Sequence, residues 1–91
     1  MVKGNPVGSG IRSFIVQKFA GARKRSIRDD SPLLESGIID SLGILDVVSY
    51  LEQSFHIEVS DDDLVPGNFA TIQSIAAFVE QKRNPLRVSA D

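Results

Sequence analysis

The sequence predicts an all-α domain: a four-helix bundle with three longer helices, one short helix, and a long loop between the first and second helices. In three segments the apolar residues recur every three or four positions, which is the spacing of one helix face. The one alternating stretch, Ile57-Glu58-Val59, is short and has no partner strand, so no sheet is expected. A chain of 91 residues with 42% apolar side chains forms one small domain.

The predicted domain spans residues 11–83. Residues 1–10 are rich in glycine, lack an apolar period, and are predicted to form a disordered tail. The first helix is predicted from Ile11 to about Arg23. Its apolar face comprises Ile11, Phe14, Ile15, Phe19 and Ala22. After the helix-stopping pair Asn84-Pro85, residues 84–91 are predicted to fray.

Residues 26–39 are predicted to form a long connection, with a single turn near Leu33-Leu34. Loops of this length are uncommon in compact domains unless they are functional. The connection ends at Asp40, a good N-cap, which places Ser41 in the first turn of the second helix with its hydroxyl facing solvent. We therefore place the function of the chain at Ser41.

The second helix is predicted over Ser41 to Phe55. Its core stripe is assigned mainly to Leu45, Val48, Leu51 and Phe55, with contributions from Ile44 and Val47. The side chains expected to face solvent are Gly43, Asp46, Ser49, Tyr50, Glu52 and Gln53. His56 follows directly and is expected to be a C-terminal cap or a surface residue, since a metal or catalytic role would need companions that are absent.

The segment after this helix carries several local signals. Ile57 and Val59 are expected to place their side chains in the core from an extended segment. Ser60 and Asp63 have the spacing of a capping box, which predicts a short third helix. The three consecutive aspartates, Asp61 to Asp63, lack the ligand spacing of a calcium-binding EF-hand loop.

The last helix follows a predicted turn at Pro66-Gly67-Asn68 and an apolar anchor, Phe69. Thr71 is the expected N-cap of this helix. Its buried stripe is predicted to be Ile72, Ile75, Ala76 and Val79.

Charge is segregated along the chain. Seven basic residues and no acidic one precede Asp29, whereas the stretch from Asp29 to Gln81 contains eleven acidic residues and no Lys or Arg. A surface of one sign favours partners of the opposite sign, so basic partners are expected. The cluster Arg23-Lys24-Arg25 could indicate nucleic-acid binding, but it is short and the acidic middle of the chain would repel phosphate, so no nucleic-acid partner is predicted.

Composition excludes several classes of function. Without cysteine there is no disulfide framework and no thiolate metal site, and a single histidine argues against a zinc site or a Ser-His-Asp triad. No catalytic or metal-binding residues are therefore predicted, and the chain is not expected to be an enzyme. It has no apolar run long enough to cross a bilayer and no signal-peptide core, which predicts a cytoplasmic protein.

The octapeptide Glu35-Ser36-Gly37-Ile38-Ile39-Asp40-Ser41-Leu42 resembles the prosthetic-group attachment motif of acyl and peptidyl carrier proteins. The resemblance extends from about Ile11 to about Arg83. It implies a 4′-phosphopantetheine group bound covalently to Ser41, flanked by Asp40 and Leu42, whose thiol holds an acyl or aminoacyl group as a thioester. It also implies that the chain is a substrate of a phosphopantetheinyl transferase.

The resemblance further implies docking to enzymes that present basic surfaces, namely loading ligases and synthases or transferases. The residues placed on this partner-binding surface are Leu42, Leu45, Asp46, Glu52, Asp61, Asp62 and Asp63. Leu45 is thus assigned both to the core stripe of the second helix and to this partner-binding surface. A monomer is expected, because a carrier must remain accessible to its partners.

Two departures from the family pattern bear on which biosynthetic pathway the chain serves. Many carriers of fatty acid synthesis have an acidic residue where this chain has Gly43, and they have a more acidic end to the second helix. Both differences weaken the case for a housekeeping role in fatty acid biosynthesis, and the pattern fits equally well a carrier in a specialised lipid or secondary-metabolite pathway with a dedicated ligase. The alternative interpretation is an unmodified helical interaction module that binds a basic partner through its acidic face, for which Ser41 would be dispensable.

Overall fold

The computed structural model describes residues 6–83, apart from the side chains of Pro6 and Arg25. This part of the chain contains five α-helices and no strand. The helices are α1 (Pro6–Lys18), α2 (Ala20–Arg25), α3 (Ser41–Phe55), α4 (Pro66–Phe69) and α5 (Ile72–Arg83). A 3₁₀ turn, Asp61–Asp63, lies between α3 and α4. With α1, α3 and α5 as the three long helices, the predicted all-α class is confirmed.

Helix α5 lies at the centre of the packing, in contact with α1, α3 and α4. Its predicted stripe is buried, and Phe78 joins it with 4% of its surface exposed. The largest fully buried side chains come from all parts of the chain: Phe69, Ile11, Ile15, Leu33, Ile39, Leu51, Ile72, Ile75, Val47 and Val79. No helix within the described range is long and apolar enough to span a membrane.

The first helix begins earlier than the sequence predicts. Residues 6–10, assigned to a disordered tail, form the first turns of α1, while residues 1–5 of that tail lie outside the described range. Val7 is buried four residues before Ile11, so it extends the apolar stripe by one turn. Pro6 occupies the first helical position, where its missing N–H costs nothing. Packing of Val7 outweighs the weak helix propensity of the neighbouring glycines.

The single first helix predicted up to Arg23 is two helices in the structure. The backbone becomes extended at Phe19, with φ −115° and ψ 115°, and the chain turns there from α1 into α2. The Arg23 guanidinium donates hydrogen bonds to the carbonyl oxygens of Val16 and Gln17, at 3.1 and 3.0 Å. These carbonyls lie at the end of α1, where they lack helical partners, so Arg23 stabilises the break.

Residues 26–40 connect α2 to α3 and are held against the bundle by backbone hydrogen bonds. The Leu33 N–H donates to the Ala70 carbonyl at 2.7 Å, and the Gln73 N–H donates to the Asp29 carbonyl at 3.0 Å. Arg12 of α1 donates to the Ile27 carbonyl at 2.7 Å and forms an ion pair with Asp29. The connection is thereby fixed to the start of α5 and to the middle of α1, which positions the start of α3.

The segment after α3 follows most of the local predictions. His56 adopts the left-handed conformation at the C-cap of α3, with its N–H donating to the Glu52 carbonyl at 3.0 Å, so the predicted cap is confirmed. Ile57 and Val59 are half-buried against the core. The Thr71 hydroxyl accepts from the Ser74 N–H at 2.9 Å and caps α5 as predicted.

One prediction in this region is wrong. Pro66-Gly67-Asn68, expected to be a turn, forms the one-turn helix α4 together with Phe69. Proline at the first helical position is compatible with this conformation. The Asn68 side chain donates to the Asp63 carbonyl at 2.8 Å, and Phe69 is 1% exposed, so burial of one ring holds the short helix in place.

The 3₁₀ turn is joined to α5 by an ion pair. The Lys82 ammonium lies 2.7 Å from a carboxylate oxygen of Asp63, whose carboxylate also accepts from the Ser60 N–H at 3.0 Å. The hydrogen bond from Lys82 and then that from Ser60 hold the pKa of Asp63 below its ordinary value of 3.8. The residues 84–91 that follow α5, including the predicted stop at Asn84-Pro85, lie outside the described range.

We expect Lys82→Gln to lower the free energy of unfolding at pH 7 by about 1 kcal/mol or less, because the ion pair is only partly buried. The Asp63 pKa is depressed on folding, so this contribution is present above pH 3.8 and is lost as the pH falls below it. Urea unfolding at pH 7 and pH 3 would measure the effect. Lys24→Gln, the same change at an exposed site, is the control, and equal effects of both variants at pH 7 would contradict the expectation.

Candidate functional site

Asp40 fixes the start of helix α3. Its backbone is extended, with φ −103° and ψ −174°, and its carboxylate oxygen Oδ1 accepts a hydrogen bond from the Gly43 N–H at 2.7 Å. The Asp40 carbonyl accepts the first helical hydrogen bond, from the Ile44 N–H at 3.0 Å. Just before, Gly37 has φ +81°, which lets the chain turn into the helix. The predicted N-cap and both predicted ends of the helix, Ser41 and Phe55, are confirmed.

Ser41 is exposed in the first turn of α3, and its hydroxyl makes no hydrogen bond within the described part of the chain. The preceding Ile39 is 1% exposed, so a buried anchor lies two residues before the serine. His56 lies at the opposite end of the helix, roughly 22 Å away at 1.5 Å per residue. The one histidine is therefore too far from Ser41 to act as its general base, and no His-containing triad forms around this serine within the described residues. An exposed serine on a fixed helix turn is suited to being modified.

A groove of about 350 Å³ opens beside Ser41. Its apolar walls come from the connection before α3, from α3, and from the segment that enters α4: Leu34, Ile39, Ile44, Leu64, Val65 and Pro66. Asp40 and Ser41 complete the lining. The contribution of Leu64-Val65-Pro66 was not predicted from the sequence. Three apolar residues directly after three aspartates are an unusual pattern on a surface, and this was the available signal.

Four large apolar side chains are exposed in the described chain, and they lie on the side of the molecule that carries Ser41. Leu42 is 75% exposed and Leu45 is 55% exposed on α3, while Leu64 and Val65 line the groove. We call Leu42, Leu45, Leu64 and Val65 the apolar rim. The assignment of Leu45 to the core stripe is wrong, whereas its assignment to the surface agrees with the exposure observed.

The core stripe of α3 differs from the predicted one because Gly43 is buried. The buried residues of this helix are Gly43, Val47 and Leu51, which are spaced by four residues. Val48 and Phe55 are only partly buried. Gly43 was predicted to face solvent, but the ring of Phe19 packs against it, and this contact rotates the buried face of the helix away from Leu45.

Tyr50 was also predicted to face solvent and is instead half-buried. Its ring stacks on Phe14 with centroids 4.4 Å apart and an interplanar angle of 11°. Phe55 contacts it edge-on at 5.9 Å. The Tyr50 ring is therefore partly covered by Phe14 of α1 and by Phe55 of α3, which reduces the part of Tyr50 that a partner could contact.

The acidic residues predicted for partner binding differ in their surroundings. Asp46 lies 3.9 Å from the Lys18 ammonium, and Glu52 accepts a hydrogen bond from the Val59 N–H at 3.0 Å. Asp63 is paired with Lys82. Asp61 and Asp62 are exposed. Asp46 and Asp63 thus lie near ammonium groups that offset part of their negative charge, whereas Glu52 keeps its charge while it accepts from a backbone N–H.

Comparison with known proteins agrees with this geometry. Residues 14–79 match the family described as "Phosphopantetheine attachment site". A "Probable acyl carrier protein PigG" from Serratia sp. (strain ATCC 39006) is 33% identical over 73 residues, covering 80% of this chain and 84% of that protein. An "Acyl carrier protein homolog" from Mycoplasmopsis pulmonis (strain UAB CTIP) is 38% identical over 72 residues, covering 79% and 94%.

Solved structures give the same result for the fold. The solution structure of a holo acyl carrier protein from Nitrosomonas europaea is similar with a TM-score of 0.67 and 29% identity, covering 86% of this chain and 96% of that one. A chain in a crystal structure described as an FAD-dependent dehydrogenase is similar with a TM-score of 0.68 and 25% identity, covering 76% and 97%. The protein therefore belongs to the phosphopantetheine-binding acyl carrier protein family, and 4′-phosphopantetheine is its prosthetic group.

Proposed function

We propose that Ser41 is the attachment point of 4′-phosphopantetheine and that the protein carries an acyl or aminoacyl group between partner enzymes. The observation that carries this proposal is the exposed Ser41 hydroxyl at the start of a capped helix, beside an apolar groove. When bound, the group supplies a terminal thiol that holds the cargo as a thioester. The protein itself is not catalytic in this proposal and is the substrate of a phosphopantetheinyl transferase.

The residues around Ser41 fit a phosphodiester followed by a flexible arm. The N-terminus of a 15-residue helix carries partial positive charge, which favours an anion attached in its first turn. The Asp40 carboxylate opposes this attraction, but it accepts the Gly43 N–H and thus serves to cap the helix. The apolar groove beside Ser41 offers a surface on which part of the attached arm would be shielded from water.

The surroundings of Ser41 support docking that is mainly apolar. Any enzyme that acts at Ser41 must approach the apolar rim, since Leu42 is the next residue and Leu45 lies one helical turn further on the same face. Asp46, the first acidic residue after Ser41 in the sequence, is already near Lys18. We therefore assign Leu42, Leu45, Leu64 and Val65 as the main contacts for the transferase, the loading ligase and the downstream synthases or transferases. Asp61 and Asp62 remain candidates for steering basic partners.

Leu45→Ala is expected to raise the KM of a phosphopantetheinyl transferase for this protein by about tenfold, because a central apolar contact is removed. Asp46→Asn, the neighbouring change on the same helix, is expected to raise it less than about threefold. Initial rates at several carrier concentrations, in low and moderate salt, would measure both. A large salt-sensitive effect of Asp46→Asn with no effect of Leu45→Ala would favour acidic docking instead.

The proposal includes a specialised pathway, supported by Gly43 at a position where many carriers of fatty acid synthesis have an acidic residue, and by the Lys18 ammonium that lies near Asp46. It also places the protein in the cytoplasm as a monomer, because several enzymes must reach the cargo in turn. The test is the intact mass of the apo protein after incubation with coenzyme A, magnesium and a broad-specificity phosphopantetheinyl transferase. A single added phosphopantetheine is expected, and no addition would favour an unmodified interaction module.

A further inference from the structure

The end of helix α1 packs directly against the first turn of α3. Phe19, at the break between α1 and α2, places its ring against Gly43, two residues after Ser41. One residue earlier, the Lys18 ammonium lies 3.9 Å from the Asp46 carboxylate. Two successive residues of the α1 end thus contact α3 within its first two turns.

The space at Gly43 is occupied on three sides. A Cβ atom at this position would lie 2.9 Å from the ring atom Cε1 of Phe19. It would also lie 3.2 Å from the Asp40 carboxylate oxygen Oδ1 and 3.2 Å from Cγ2 of Ile39. The same carboxylate oxygen accepts the Gly43 N–H that caps the helix. A side chain at position 43 would therefore displace the Phe19 ring, the capping carboxylate, or both.

Phe19 is itself held in place by a row of aromatic rings. It contacts Phe14 edge-on with centroids 6.4 Å apart. Phe14 stacks on Tyr50, and Tyr50 contacts Phe55 at the last turn of α3. Movement of the Phe19 ring away from position 43 would therefore change its contact with Phe14, which in turn stacks on Tyr50 of α3.

We propose that Phe19 and Gly43 are positioning residues for the modification of Ser41. Contact between the Phe19 ring and Gly43 supports the buried side of the first turn of α3, whose exposed side carries Ser41. The same contact keeps the capping carboxylate of Asp40 in place. This inference rests on the proposed function, since it concerns the reaction at Ser41. Neither residue is part of the apolar rim, so their effect is on the geometry of Ser41 and not on docking.

The first test measures transferase kinetics with coenzyme A and magnesium. Gly43→Ala is expected to lower kcat by roughly ten- to a hundredfold, because a small misplacement of a reacting group costs a factor of this size. KM is expected to stay within about twofold, because the apolar rim is unchanged. Adding Phe19→Leu to the Gly43→Ala variant is expected to recover at least half of the decrease in log kcat, since it removes the ring closest to the added methyl group.

Phe78→Leu is the matched control, because it makes the same change at a buried ring of α5 that is not part of the row of rings beside Gly43. It is expected to reduce stability while leaving kcat unchanged at a temperature where every variant is folded. A wild-type rate for Gly43→Ala, or a double variant no faster than Gly43→Ala, would overturn the inference. A wild-type protein that is not modified at all would instead overturn the proposed function.

A second measurement does not depend on modification. Hydrogen exchange at the amide of residue 43 reports the hydrogen bond to Asp40. Gly43→Ala is expected to speed this exchange by about tenfold or more relative to amides in the middle of α3, and the added Phe19→Leu change is expected to slow it again. Unchanged protection at residue 43 in Gly43→Ala would show that the cap tolerates a side chain there, which contradicts the inference.

Discussion

Ser41→Ala is expected to abolish attachment of phosphopantetheine completely while leaving the fold intact. The hydroxyl oxygen is the only atom lost, and it makes no hydrogen bond within residues 6–83. Helix α3 keeps its cap, because the capping oxygen belongs to Asp40. Alanine also has a higher helix propensity than serine, so the free energy of unfolding should change by less than about 0.5 kcal/mol.

Ser49→Ala is the matched control for this experiment, since Ser49 is another exposed serine of the same helix. It should be modified at the wild-type rate. Intact mass after incubation with the transferase measures the attachment of phosphopantetheine. Urea unfolding of the same samples measures the free energy of unfolding. Residual modification of Ser41→Ala would mean that another hydroxyl is the acceptor, and a large loss of stability would mean that the Ser41 side chain supports the fold.

Phe69→Ala is expected to destabilise the protein by about 3–5 kcal/mol, which is most of the stability of a domain of this size. Phe69 is 1% exposed and packs against Phe78 with ring centroids 5.7 Å apart. It is also the one buried residue of α4, which has a single turn and cannot be stable by itself. Loss of the ring should therefore release α4 along with Leu64-Val65-Pro66, a wall of the groove beside Ser41.

Urea unfolding measures this effect, and Leu42→Ala provides the comparison. Leu42 is 75% exposed, so removing its side chain should change the free energy of unfolding by less than about 0.5 kcal/mol. If Phe69→Ala leaves too little folded protein to measure, Phe69→Leu, which leaves a smaller cavity, keeps the prediction testable. Similar unfolding midpoints for Phe69→Ala and Leu42→Ala would contradict the account of α4.

The start of α3 could be predicted from the sequence because the signals that define it are local. An N-cap aspartate, a helical apolar period and a following left-handed His56 lie within 17 consecutive residues, and each acts through nearby backbone groups. The same holds for Thr71 at the start of α5. Local hydrogen bonds of this kind are largely independent of the rest of the fold, so a single sequence is enough to place them.

The buried face of α3 could not be predicted in the same way. Both Gly43 and Leu45 lie on an apolar stretch, and which of them faces the core depends on Phe19, 24 residues before Gly43. The break in the chain at Phe19 depends in turn on Arg23, which satisfies carbonyl groups at the end of α1. These are tertiary contacts, and they override the average orientation that an apolar period predicts.

The groove was missed for a related reason. Its walls come from the connection before α3, from α3 itself and from the entry to α4, three segments that are separate in sequence. Leu64 and Val65 become wall residues only because burial of Phe69 forms α4 and places them beside Ser41. The capping-box spacing of Ser60 and Asp63 predicted a short helix but not the position of Leu64 and Val65 relative to Ser41.

Peptide mapping of the attached group shows directly whether Ser41 is the attachment site. An endoproteinase that cleaves before aspartate would release the peptide Asp40–Leu45, in which Ser41 is the only residue with a hydroxyl group. After modification of the wild-type protein, this peptide should carry the mass of one phosphopantetheine, and no other peptide should be changed. The group on a different peptide, or no group on any peptide from a protein that was unmodified at the start, would contradict the claim that Ser41 is the attachment site.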